Sequence, residues 1–237
     1  KIVGSGLSAI FFILFASILE PSKFGELSFL IAIAQTTSII SRLGFNHTVT
    51  IFQGKEDKKT SQQINNFVIL STSICSIFLL FINPFVALLT LSMSFFVMSQ
   101  HNILGKSNYK FFMNISILQG LFHLLFVIIM YVLFNLEGIL IRMCISNLIC
   151  SFPFLKSFSK FNFNFVKLRK IWKISIHNFG VDASTNLSRR IDKVMIAPIF
   201  GFTSVGIFQF NTQILFALEL IPLALHSFLL STRNFSI

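Results

Sequence analysis

The chain has 237 residues and a formal net charge of +11, yet only 11% of its residues are charged, 54% are hydrophobic and 32 are Phe. An ordinary soluble domain carries roughly a quarter charged residues, so this composition, with a mean hydropathy of +0.80, indicates an integral membrane protein. The positive charge does not point to nucleic acid, because it sits in short gaps between apolar runs and not on one face of a soluble body.

A membrane-spanning helix needs roughly 20 apolar residues. The first apolar run is Ile2 to Leu19, closed by the turn Glu20 to Glu26; no small-residue cleavage site follows it, so it reads as a span and not as a removable signal. The second runs from Leu27 to about Phe45, interrupted late by Arg42 and Gly44, and a polar loop tipped by Lys55 to Lys59 follows. The stretch Ile64 to Leu104 is too long for one span. Pro84 lacks an amide donor and pushes Asn83 out of helical geometry, which divides the stretch into a third span, Ile64 to Ile82, and a fourth, Pro84 to Leu104. A fifth span is expected at Phe111 to Phe134, a turn at Asn135 to Gly138, and a sixth span at Ile139 to Leu155.

From Lys156 to Lys173 basic residues alternate with Phe and Trp172, as in a cytoplasmic loop or an amphipathic helix resting on anionic headgroups. A seventh span is expected at Ile174 to Phe200, a turn at Gly201 to Gly206, and an eighth span at Ile207 to Leu230. The fold class expected is therefore all-α and polytopic. With the N-terminus cytoplasmic, the inner loops hold Lys1, Lys55, Lys58, Lys59, Lys106, Lys110, the six basic residues of the long loop and Arg233, against Lys23 alone outside. That asymmetry is what the positive-inside rule demands.

Charges at membrane depth are costly and usually face a bundle interior. In the seventh span, Asn178, Asp182, Thr185, Arg189 and Lys193 follow helical spacing, with Asn186 and Asp192 at the margin and Arg190 beside them. Arg42 and Arg142 add positive charge from the second and sixth spans. One reading pairs Arg189 with Asp182 or Asp192 and lets Lys193 snorkel. The other is a hydrophilic cavity, favoured because five basic groups face two acids and the surplus suits an anion, whose phosphate oxygens a guanidinium fork fits. Cys75, Cys144 and Cys150 lie in apolar runs as small core residues, and the five His are scattered without metal-ligand spacing. No nucleotide-binding or hydrolase motif occurs, so no cofactor is expected.

Two stretches carry a family resemblance. ILEPSKFGELSFLIAIAQTTSIISRLGFNHTVT, Ile18 to Thr50, resembles the "LxPxxFGxxS" turn and "LGhN" span end of polysaccharide flippases. RRIDKVMIAPIFGFTSVGIFQFNTQILFALELIPLALHSFLLST, Arg189 to Thr232, resembles the same family's "R(I/L)DK(V/I)hI" span and "hGxxxVGIYxxA" turn, with Phe208 at the usual tyrosine position. The family is that of the Wzx-like O-antigen and capsule flippases, within the multidrug/oligosaccharidyl-lipid/polysaccharide exporter superfamily.

The resemblance implies a two-bundle transporter of 12 to 14 helices, of which this chain would hold about eight. Residues 1–155 would form the first six-helix bundle, 156–173 a basic cytoplasmic connection, and 174–237 the first two helices of the second bundle. It further implies transport, not enzymatic chemistry, of an undecaprenyl-pyrophosphate-linked oligosaccharide across a bacterial or archaeal cytoplasmic membrane. Arg42, Arg142, Asn178, Asp182, Arg189, Arg190, Asp192 and Lys193 would contact the substrate, and Asp182 or Asp192 could couple to H+ or Na+. Partners implied are the lipid-linked oligosaccharide, membrane lipids, and the polysaccharide polymerase and chain-length machinery, with no nucleic acid. Rival readings are a multidrug exporter of the same superfamily, a membrane enzyme of polysaccharide assembly, and a scaffold without transport activity.

Overall fold

A computed structural model describes residues 16–155 and 165–233; the side chains of Lys167, Lys170, Ser188, Arg189 and residues 223–233 are among those outside its description. The expected first span, but for its last residues, and the first half of the basic loop therefore lie outside the described residues.

The described residues are helical throughout: α1 (Pro21–Arg42), α2 (Phe45–Gly54), α3 (Lys58–Leu80), α4 (Pro84–Gly105), α5 (Tyr109–Leu125), α6 (Val127–Cys150), a short α7 (Phe152–Leu155), α8 (Phe165–Asp182), a π-helical turn (Ala183–Leu187) and α9 (Ser188–Arg233). Five helical stretches among them have the length and apolar composition to cross a membrane, Pro21–Arg42, Lys58–Leu80, Pro84–Gly105, Ile129–Cys150 and Arg190–Glu219, although the fourth is broken at Asn135 and the fifth at Gly201.

Burial differs from that of a soluble protein in its surface and in the polar share of its interior. Phe78, Phe81, Ile82, Leu125, Val132 and Ile199 are exposed, while Ser38, Thr72, Ser94, Ser99, Asn65 and Asn66 are buried. Such a surface is stable only against lipid, and the small hydroxyl residues let helix backbones approach closely in its interior. The chain is a polytopic, all-α membrane protein.

Local sequence explains the helix limits. Pro21 takes the first helical position of α1, where its missing N–H costs nothing, so α1 absorbs most of the turn expected at 20–26. Leu43 and Gly44 are both left-handed and end it; a Cβ on Gly44 would lie 2.2 Å from the Ser175 carbonyl oxygen, so the elbow also needs glycine to let α8 approach. Asp57 caps α3 through the Thr60 amide, and Asn83 caps α4 through the amides of Phe85 and Val86, at the break expected from Pro84.

Inside α6, Phe134 and Asn135 leave helical geometry, and a Cβ on Gly138 would fall 2.0 Å from the Met130 carbonyl oxygen. The chain thus folds back at the expected turn. Inside α9, Gly201 alone departs, at φ 77° and ψ 170°, a region open essentially to glycine only. The break begins where the seventh span was expected to end, but the turn takes one residue and not six.

Helix α4 is central and packs against α1, α2, α3, α5 and α6. Phe24, Leu27 and Ile31 of α1 meet Val86 and Leu89 of α4 and Ile139 and Leu140 of α6 in one core. A second core joins Phe45, Val49, Ile64, Val68 and Met98 to Leu168 and Ile171 of α8. Helix α8 starts at Phe165, inside the segment expected as a basic loop, because Leu168 and Ile171 turn inward while Arg169 and Lys173 stay exposed on the other faces.

Candidate functional site

Helix α9 runs along α1 from one end to the other. Arg190 Nε donates to Gln35 Oε1 at 2.9 Å, Phe29 and Phe202 pack with ring centroids 5.6 Å apart, and Gly206 meets Pro21 and Gly25 at the far end. Residues 190 to 206 therefore pass antiparallel to residues 35 to 21. This seam continues into α8, which rests on α2 and α3.

The polar residues of the seam gather where the α1–α2 elbow meets the end of α8. The Asp182 carboxylate receives the Asn46 amide at 3.1 Å on Oδ2, and on Oδ1 meets His47 Nε2 at 2.9 Å and the Asn186 amide at 3.5 Å. One turn earlier, Asn178 donates to the Thr48 hydroxyl at 3.2 Å, which also bonds the Ser175 hydroxyl at 2.9 Å. Arg42, 6% exposed, donates to the Ser38 hydroxyl and lies in electrostatic range of Asp182 and Arg190. Among the described residues, neither Arg42 Nε nor Asn46 Oδ1 has a hydrogen-bond partner, although both residues are buried.

The π-helical turn resets the helical phase ahead of Arg190. In an unbroken α-helix, Arg189, seven residues after Asp182, would share its face. A π turn takes up one extra residue and shifts everything after it by about 100°. The buried series Leu168, Ile171, Ser175, Asp182 is thus followed beyond the π turn by Ala197, with the half-buried Arg190 on the same side. Of the residues expected from sequence, Arg42, Asn178, Asp182 and Arg190 meet at the seam. Lys193 lies beside them, in electrostatic range of Arg190 and Asp192, while Asp192 is exposed. The Arg189 side chain is outside the described residues.

Arg142 occupies a different place. It is buried on α6, in electrostatic range of His123, whose Nε2 bonds Gln119 and the Ser146 hydroxyl; Gln119 also donates to Asn147. Asn46, His47 and Gln35 were missed from sequence. The first two follow the Leu43–Gly44 break directly, and that break is the signal that could have found them.

These observations define a multi-pass α-helical membrane protein whose seam holds more cations than anions. A family model described as polysaccharide biosynthesis protein matches residues 1–135, more than half the chain, and the chain belongs to that family. The family expected from the Ile18–Thr50 and Arg189–Thr232 stretches is borne out, and the protein has a role in polysaccharide synthesis or export. No curated protein and no solved structure matches the chain.

Proposed function

We propose that the chain is part of a flippase that carries a lipid-linked, undecaprenyl-pyrophosphate oligosaccharide across the cytoplasmic membrane, without covalent chemistry. The observation supporting this reading is the charge balance at the seam. Arg42 and Arg190 lie in electrostatic range of each other, and the one carboxylate beside them, Asp182, is already engaged by Asn46 and His47. Two guanidinium groups with an unfilled buried donor fit the paired phosphates of such a lipid. A cation exporter would need the opposite balance.

In this reading α1 and α9, which belong to the two bundles, separate along the seam to admit the headgroup, and Asn178 meets sugar hydroxyls once its bond to Thr48 opens. The orientation has the N-terminus cytoplasmic, so that the outer ends of α1 and α9 meet at Gly25 and Gly206. Polymerase and chain-length proteins receive the flipped lipid. The test is Arg42→Gln combined with Arg190→Gln in a producing strain. The expected result is loss of surface glycan with accumulation of the lipid-linked precursor on the inner leaflet. Unchanged glycan display in a variant that reaches the membrane would overturn the assignment.

A further inference from the structure

We propose that His47 and Asp182 form a proton-binding latch between the first helices and the α8–α9 unit. The pair joins elements 135 residues apart in sequence, with His47 Nε2 2.9 Å from Asp182 Oδ1. Its purpose in transport rests on the flippase reading; its existence does not.

The donor set selects the ion. A Na+ site needs several oxygen ligands converging on one point. Here the carboxylate is met by nitrogen, from Asn46, His47 and Asn186. Hydrogens on those nitrogens point at the carboxylate, so a metal cation would be repelled where a proton is held. Histidine is also the side chain whose charge ordinarily changes near neutral pH.

Access is present. The His47 side chain is 42% exposed and that of Asp182 11%, so a proton arrives through His47. On its other side the His47 ring meets His101 edge to face at 4.9 Å, and His101 Nδ1 bonds the Thr50 hydroxyl at 3.0 Å. The charged and titratable groups facing the pair are Arg42 from α1 and His101 from α4, with Arg190 from α9 in electrostatic range of Arg42; His177, on α8 itself, is exposed.

The pair holds protons in steps. With none added, the neutral imidazole donates to the carboxylate. One added proton converts this into a charge-assisted hydrogen bond, roughly twice as strong as a neutral one, and the latch is tightest. A second proton neutralises the carboxyl group. Asn46 then has to present an acceptor, and its unfilled Oδ1 supplies one when the amide turns over.

The experiment uses the full chain in lipid nanodiscs, with Cys75, Cys144 and Cys150 replaced by Ala and spin labels on Lys55→Cys and Lys173→Cys, both exposed. The interlabel distance is followed as the buffer is taken from alkaline to acidic. We expect the distribution to shorten and narrow on acidification, and Asp182→Asn and His47→Gln each to abolish the change. If Asp182→Asn fails to fold, by size exclusion, His47→Gln carries the test alone. Absence of a pH response, or a response unaltered in both variants, overturns the latch. A response that needs both residues supports the latch even where glycan display refutes the flippase, and a chain that flips glycan without the response overturns the latch alone.

Discussion

Gly25 and Gly206 meet back to back across the α1–α9 seam. A Cβ on Gly25 would lie 1.7 Å from the Phe202 carbonyl oxygen and 2.8 Å from the Gly206 amide nitrogen, and a Cβ on Gly206 would lie 2.1 Å from the Pro21 carbonyl oxygen. The obstacles are backbone atoms, which cannot swing aside as a side chain does. Gly25→Ala and Gly206→Ala should each force the helices apart and cost about 1–3 kcal/mol, the usual range for overpacking. Thermal denaturation in detergent should show this as a lowered midpoint, with Gly180→Ala, where nothing lies within 4 Å, as the control whose midpoint holds or rises because alanine favours the helix.

The π-helical turn makes a prediction about length. Deleting Ser184, one exposed residue of the turn, should heal the helix and leave Asp182 and Arg190 seven residues apart on one face. Inserting an alanine between Thr185 and Asn186 should instead rotate Arg190 away from Gln35. Disulfide cross-linking of Gln35→Cys with Arg190→Cys should succeed with the deletion and fail with the insertion.

Asn83 accepts the amides of Phe85 and Val86, at 2.9 and 3.2 Å. Asn83→Ala should cost about 1 kcal/mol, the typical loss for a helix cap, and Asn83→Asp should retain nearly all of the stability. Chemical unfolding in mixed micelles separates the two.

Asn65 and Asn102 exchange amide hydrogen bonds, at 3.0 and 3.4 Å, and Gln53 donates to Asn102 at 2.9 Å. Replacing Asn102 alone by Leu should cost about 1–2 kcal/mol, because a buried amide loses its mate. Replacing both Asn65 and Asn102 by Leu should cost less than the two single changes added together. A double-mutant cycle on unfolding free energy measures the difference.

Much of the fold was legible because its punctuation is chemical. Proline at position 84, asparagine at 135 and glycine at 201 break helices for reasons that act within a residue or two, and each stands where a span boundary was expected. The beginning of α8 was not legible, since Arg169 and Lys173 look like loop residues until packing shows that only one face needs to be apolar. Nor was the meeting of Arg190 with Gln35. It depends on one inserted residue in the helical phase, which an unbroken 3.6-residue count cannot register. The partners of Asp182 were hidden for a third reason. Asn46 and His47 lie 136 and 135 residues away, and only the meeting of elbow and helix end brings them together.

The Leu43–Gly44 elbow has an electrostatic consequence of its own. By ending α1 and starting α2 within two residues, it creates a fresh helix N-terminus inside the protein, and Asn46 and His47 stand in its first turn. Such a terminus carries roughly half a positive elementary charge from its unsatisfied amides. Asp182 docks against that first turn through Asn46 and His47, so the bend in the backbone adds its own positive potential to that of Arg42.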